Sequence, residues 1–331
     1  MGGAVILAGD VGGTKTYLAF FDTLEHGFKP LAQVRYSTAD FADLGTLLAT
    51  FVKEVGYRPA RVVLGVPGAV RQVPVQAVNL PWTIDPADLR RALDLEAVHL
   101  LNDLQATSYG TQVLQSEDVV VLNEGGTDAE GNVAVIAAGT GLGEGGLCWS
   151  GERYVAIASE GGHADFAPAN ALQAELWDYL HERFGHVSWE RLVSGPGLAH
   201  LYDFLRDSGR GGEQEWLRQE LQQGDRSDAI SRAALQERCP LAVAALDLFI
   251  DLYGAETGNL ALKLIATGGV FVGGGIAPKI LARLRQGRFM EAFLAKGRMR
   301  EVLREVPVKV VINDKTGLMG AAYWGSQLEK G

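Results

Sequence analysis

Cysteine is nearly absent. The 331-residue chain has two, Cys148 and Cys239, far apart and with no Cys-x-x-Cys pair. That count excludes a thiolate zinc site. It also excludes a disulfide framework, which fits a reducing compartment. Net positive charge is absent too: 30 Lys and Arg stand against 40 Asp and Glu, a net charge of −10. Such a surface does not displace counterions from nucleic acid and is not drawn to anionic lipid. An anionic substrate would have to bring its own cation. No uninterrupted apolar run reaches the roughly 20 residues that span a bilayer, and residues 1–10 lack the basic start of a signal peptide. The expectation is a soluble, cytoplasmic globular chain, whose 47% hydrophobic residues suffice for a real core.

Glycine is in excess, at 42 residues against a usual share of roughly 7%. The glycines cluster within residues 9–13, 139–146, 161–162, 195–197 and 268–275, several directly after apolar, β-branched runs. That pattern reads as strands ending in tight turns. It predicts a hairpin of strands 4–8 and 17–22 around a turn at 9–13, strands at 61–66 and 97–101, and a second hairpin of 132–138 and 145–149 around 139–143. Further strands are predicted at 267–275 and 306–312. Helical spacing predicts helices at 41–55, 104–110, 172–184, 241–265 with a break near Gly254, 279–284 and 316–328. Residues 207–228 read as a surface loop or a helical insertion. Strands and helices alternate, so the fold class is α/β, and the two similar hairpins suggest a duplicated, two-lobed architecture.

The motifs carry the chemistry. Gly9-Asp10-Val11-Gly12-Gly13-Thr14-Lys15-Thr16 falls one glycine short of a P-loop, and a strand follows where a P-loop needs a helix. The turn's amides still form a nest for phosphate. The Thr14 hydroxyl adds a donor, and Asp10 is placed to bond the water shell of a magnesium ion. Gly141, Gly143 and Gly146 match G-x-G-x-x-G, but a dinucleotide fold also needs a helix next. A second phosphate hairpin explains both clusters with one ligand. Asn102-Asp103 ends a strand, and Asp103 is either the N-cap of the next helix or a general base. Glu160-Gly161-Gly162-His163, with Asp165 beyond, is either a polar cluster suited to a polyhydroxyl ligand or a plain loop. Glu190 precedes a turn at Ser194-Gly195-Pro196-Gly197. Gly273, Gly274 and Gly275, ahead of Pro278, let a flat ring lie on bare backbone.

As an ordered set running from residue 9 to beyond 275, these motifs resemble the bacterial glucokinase family, a branch of the hexokinase–Hsp70–actin ATPase superfamily. The resemblance implies a two-lobed, ribonuclease H-like α/β fold with mixed sheets and a cleft, divided as residues 1–112 plus 314–331 and residues 113–313. It implies ATP-dependent phosphorylation of D-glucose at the 6-hydroxyl. The alternatives are another hexose or an N-acetylated amino sugar, or a sugar and ATP sensor that transfers no phosphate. Asp103 would be the base. Asn102, Asp103, Glu160, His163 and Glu190 would hold the sugar. Gly9, Asp10, Gly12, Gly13, Thr14, Gly139, Thr140, Gly141 and Gly143 would cradle the phosphates, with Asp10 reaching Mg2+ through water. Gly274 and Gly275 would line the adenosine pocket. Lys15 stands where many relatives carry asparagine. The cysteine-rich zinc site of the related ROK kinases is excluded by the cysteine count, and with eight residues ahead of Gly9 no DNA-binding module is expected. A homodimer is expected. On this reading Gly141 serves ATP alone, so a bulkier residue there should spare sugar binding.

Overall fold

The computed structural model describes residues 5–22, 28–68, 70, 73–77, 80, 82–95, 97–126 and 130–328. In chain order the elements are β1 (Val5–Val11), β2 (Lys15–Asp22), β3 (Ala32–Ser37), α1 (Leu44–Val55), β4 (Arg61–Val66), β5 (Val75–Gln76), β6 (Thr83–Ile84), α2 (Pro86–Leu93), β7 (Val98–Asn102) and α3 (Asp103–Gly110). There follow β8 (Val119–Asn123), β9 (Val133–Ala138), β10 (Leu142–Trp149), β11 (Tyr154–Ile157), α4 (Ala171–Phe184), α5 (Gly195–Asp207), α6 (Glu215–Leu221), α7 (Arg226–Leu235) and α8 (Pro240–Leu264). The chain ends with β12 (Gly269–Gly273), α9 (Leu281–Leu284), α10 (Arg288–Leu294), α11 (Arg300–Arg304), β13 (Val308–Val311) and α12 (Thr316–Gln327). It folds as two compact units, Met1–Asp118 with Asn313–Gly331, and Val119–Ile312. The sequence-based division falls at 112/113 and 313/314. Residues 113–118 stay with the first unit, where Asn313 Nδ2 donates to Asp118 Oδ1 at 2.8 Å.

In the first unit the sheet order is β3-β2-β1-β4-β7. β1 and β2 form the expected antiparallel hairpin, and β1, β4 and β7 run parallel. One face is covered by α1, whose Leu44, Leu47, Leu48 and Phe51 pack on Leu7, Leu18, Phe20 and Leu64. At about 25 cal/mol per Å2, burial of such side chains contributes roughly 1.5–3 kcal/mol each. Asp43 caps α1 by accepting from Thr46 N–H, and Gly56, at φ 83°, ends it in the left-handed region. α12 crosses α3 so closely that a Cβ on Gly320 would lie 1.7 Å from the Ala106 carbonyl oxygen.

The second unit repeats that design. Its order is β11-β10-β9-β12-β13-β8. An antiparallel β9–β10–β11 meander adjoins the parallel strands β9, β12 and β13, and β8 adds an antiparallel edge. Beneath the sheet lies α8, which carries buried Phe249, Tyr253 and Leu260.

Several expectations are corrected. Gly9 lies inside β1, paired with Leu18 and Leu64 on its two sides, so the turn narrows to residues 12–14. A Cβ on Gly9 would meet the Leu64 and Leu18 side chains at 2.6 and 2.9 Å, so packing explains this glycine. Gly143 likewise lies inside β10, opposite Ala137. α8 runs unbroken through Gly254, which instead lets α10 approach: a Cβ there would lie 2.2 Å from Phe289 O. The helix expected at 279–284 shortens to α9, and the stretch 207–228 holds α6 and the start of α7. The turn expected after Ser194 is the first turn of α5, capped by Ser194 Oγ accepting from Gly197 N–H at 3.1 Å.

The α3–α12 crossing generates a stability prediction. Gly320→Ala should lower the urea midpoint by an amount equivalent to about 1–3 kcal/mol or more, the usual cost of overpacking. Gly212→Ala, where a Cβ would meet nothing within 4 Å, should stay within about 0.5 kcal/mol of the parent. Equal midpoints for the two variants would show that the crossing tolerates a methyl group.

Candidate active site

In the first unit the carboxyl ends of the three parallel strands collect the polar groups. Asp10 on β1 is level with Gly65 on β4, and the next residue, Val66, is paired with Asn102 on β7. Asn102, not Asp103, is the N-cap of α3. Its Oδ1 accepts from Leu104 N–H at 3.0 Å, and Gln105 Oε1 accepts from the Asn102 N–H to complete a capping box. Asn102 Nδ2 donates to Gly68 O at 3.1 Å. Asp103 is therefore the first residue of the helix, exposed, with its Oδ1 accepting from Leu104 N–H at 2.8 Å.

Burial, and next the charge of Asp103, push the Asp10 carboxyl up to about 6; Asp314 adds to the effect and Lys15 opposes it. Asp10 lies against the first turn of α12, where a Cβ on Gly317 would be 3.3 Å from its Oδ2. Lys15 Nζ pairs with Asp314 Oδ2 at 3.3 Å, and the Tyr17 hydroxyl donates to the same oxygen at 2.9 Å. The turn is closed by Gly12 N–H donating to Lys15 O at 3.0 Å and by Thr38 Oγ1 donating to Gly12 O at 2.8 Å. Gly13 and Thr14 stand exposed at its tip. Among the described residues no three His, Cys, Asp or Glu side chains form a metal cluster. The crowded carboxylates nonetheless suit a hard cation such as Mg2+, which keeps much of its water and takes substrate phosphates.

In the second unit the tip of the β9–β10 hairpin is tied on two sides. Gly139 O accepts from Gly195 N–H, the start of α5, at 2.8 Å. Leu142 N–H donates to Glu190 Oε2 at 3.0 Å. The tip, the start of α5, Gly275 and the residues opening α7 line a cavity of about 720 Å3 that also includes Thr140, Ser227 and Lys279. A helix N-terminus there favours negative charge. Gly274 has φ 82°, and a Cβ on it would fall 2.2 Å from Ala138 O. Only glycine lets this turn fold over the end of β9 and present Gly275 to the cavity. Arg226, on the rim, is committed to Asp203 by two bonds of 3.1 and 2.7 Å.

The Glu160–His163 segment folds as a 3-10 turn, Gly161–His163, seated on the start of β10. A Cβ on Gly162 would lie 2.0 Å from Leu142 O. Glu160 and His163 are exposed, and Asp165 pairs with His186 at 2.9 Å. A Cβ on Gly141 would lie 2.4 Å from Glu190 Oε2. Gly141, which the sequence reading gave to ATP alone, thus also makes room for Glu190, which that reading gave to the sugar. The second unit thus brings together Gly139, Thr140, Gly141, Glu190 and the turn holding Glu160 and His163, and the first unit brings together Asp10, Asn102 and Asp103. Sequence reasoning did not single out Ser227 and Lys279, which line the cavity at the β9–β10 tip from a stretch it read as a loop or a helical insertion and from the turn ahead of α9, where it started a helix.

The glucokinase family profile matches residues 7–328. A glucokinase of Nostoc punctiforme is 39% identical over 339 residues, covering 98% of this chain and 99% of that protein. The crystal structure of a glucokinase from an Antarctic psychrotroph superposes with a TM-score of 0.88 at 31% identity, covering 99% of each chain. A ROK family glucokinase from Streptomyces griseus, solved in complex with glucose and AMPPNP, shares the fold at a TM-score of 0.63 and 20% identity, covering 99% of this chain and 100% of that one. With a profile match and curated relatives that run almost end to end, the chain belongs to the glucokinase family.

Proposed function

We propose that the chain phosphorylates D-glucose at the 6-hydroxyl with ATP, and that Asp103 is the general base. The observation that carries this reading is the placement of Asp103. It opens α3 directly after the β7 strand, beside a capping residue, Asn102, that does the structural work an aspartate could otherwise be assigned. The proton of the 6-hydroxyl passes to the Asp103 carboxylate as that oxygen forms its bond to the γ-phosphorus. The bond from the γ-phosphorus to the bridging oxygen breaks, and ADP leaves. Phosphoryl transfer otherwise depends on positioning and charge neutralisation. We assign Asn102, Glu160, His163 and Glu190 to the sugar hydroxyls. Gly12, Gly13 and Thr14, with Gly139, Thr140 and Gly141, are assigned to the phosphates, supported from within the strands by Gly9 and Gly143. Gly274 and Gly275 are assigned to the adenosine. Mg2+ would be held through water by Asp10, and would supply neutralisation of phosphate charge. The same reading makes the enzyme a cytoplasmic homodimer, supported by the family likeness. No helix among the described residues is long and apolar enough to cross a membrane.

A coupled assay with ATP and a panel of sugars tests the activity. Glucose should be turned over with a much higher kcat/KM than N-acetylglucosamine, and comparable values would move the assignment to a broader sugar kinase. Asp103→Asn should lower kcat by about 10²–10⁴ with little change in folding, because Asn102 keeps the cap. A folded variant retaining more than about a tenth of the parent's kcat would fall below that range and end the base assignment. Gly141→Ala should push Glu190 off the Leu142 amide. Losing a charge-assisted hydrogen bond costs about 1.5–3 kcal/mol, so KM should rise about tenfold or more for glucose as well as for ATP. A rise confined to ATP would restore the narrower role for Gly141.

A further inference from the structure

Glu144 has no part in the chemistry described above, yet it is one of the most enclosed acids in the chain. It lies on β10 opposite Ile136, with 1% of its surface exposed. Its Oε1 is buried without a hydrogen-bond partner. Its Oε2 lies where a Cβ on Gly161 would fall 2.4 Å away, and its own Cβ lies 3.0 Å from that point. A carboxyl group therefore forms the underside of the turn that presents Glu160 and His163.

We propose that Glu144 is a positioning residue for the sugar half of the reaction, its carboxyl being the seat on which the Gly161–His163 turn rests. The proposal depends on the reading that this turn holds glucose. The groups facing Glu144 are few. From α8 come Glu256, fully buried, along with Lys263 and the Tyr253 hydroxyl. From the turn side come Gly161 and Ser159, whose Oγ accepts from Gly161 N–H at 3.0 Å. Glu256 is itself satisfied by Asn259 Nδ2 at 2.7 Å and Lys263 Nζ at 3.0 Å, so the lysine is already engaged. A negative charge on Glu144 would meet a second carboxylate and no hydrogen-bond donor for Oε1, an arrangement that costs several kcal/mol in a buried site. Burial, and then Glu256, push the carboxyl from 4.5 up to about 8, against the opposing pull of Lys263. A group held protonated in the fold and ionised in the open chain withdraws stability as pH rises through this window. The neutral acid seats the turn at neutral pH, and ionisation in alkali unseats it.

The test is a pH series on the full-length enzyme with glucose KM, ATP KM and kcat separated. If only the neutral form presents the turn, the competent fraction falls about tenfold between about pH 7 and about pH 9, and apparent glucose KM rises by the same factor. ATP KM should stay within about twofold over this range, since the cavity for the nucleotide does not include Glu144. Glu144→Gln, which stays neutral, should flatten the glucose profile. A purely structural role would lower stability without changing the shape of that profile. Glu256→Gln keeps the Glu144 carboxyl and removes its like-charged neighbour, so the midpoint should move to lower pH. This second variant decides the matter if Glu144→Gln does not fold. A Glu144→Gln enzyme with the parent's profile, or a midpoint unmoved in the Glu256→Gln enzyme, overturns the role of Glu144 alone. An unchanged glucose KM in His163→Ala overturns the sugar assignment of the turn, and this proposal with it.

Discussion

Both backbone groups of Leu142 are committed at the mouth of the second unit, and the other ligand-facing pieces of that unit are placed by this commitment. Its N–H is held by Glu190, and its carbonyl oxygen is so closely approached by Gly162 that no side chain could stand there. The hairpin assigned to the phosphates, the carboxylate assigned to the sugar and the turn presenting His163 thus all meet at one residue of one strand. Positions set by backbone bonds vary less than positions set by long side chains, which lose rotamer entropy to be held. The constraint also explains the small residues around it. Gly141, Gly161 and Gly162 each leave a space that a Cβ would fill, and each space is occupied by Glu190, Glu144 or Leu142 itself.

The two units share a strand order and differ in what they place at the strand ends. In the first, Asp10 is the penultimate residue of β1, β7 finishes in Asn102, and α3 begins on the acid Asp103. In the second, β9 and β12 finish in glycine, at Gly139 and Gly273–Gly275, and α5 begins beside the first of these turns. Carboxylates move protons and attract cations, whereas bare amides and helix N-termini receive phosphate. The same strand order therefore ends in two kinds of group, to which the proposed function gives two chemistries.

The sequence made the scaffold legible because glycine turns after β-branched runs are a local signal. The two hairpins, β4, β7, α3 and α12 fall within a few residues of expectation. What was not legible was non-local. Whether Asp103 is the N-cap of α3 or a base is open in the sequence, and only the structure puts the neighbouring Asn102 in the capping role. Gly254 reads as a helix break until α10 is seen lying against it. Gly141 reads as a nucleotide contact only, and the second demand on it, room for Glu190 from far along the chain, shows in the structure alone. β3 alternates Ala32, Val34 and Tyr36 with polar residues but is short and partly exposed, and β8 and β11 are short, partly exposed apolar runs without alternation, so none of the three gave a strong signal. Glu144 was invisible for the same reason: an acid inside a glycine-rich strand gives no hint that it is sealed beneath a turn.

The carboxyl groups of Asp10 and Glu144 are both held well above the ordinary range, and the difference in their surroundings separates their roles. Asp10 is crowded by Asp103 and Asp314, with Lys15 as a partial counterweight, and lies against the first turn of a helix. Those neighbours create a local excess of negative charge, which an arriving cation relieves. Glu144 has one acid beside it and a lysine already engaged by that acid, and an oxygen with no donor within reach. Space for a hydrated ion is lacking at 1% exposure, so the proton is the species that relieves this site. Raised pKa values therefore mark two unlike devices. On the proposed reading Asp10 is completed by the cation that comes with the substrate, while Glu144, sealed inside the fold, is completed by a proton, which is why only the second is expected to act through the shape of a neighbouring turn.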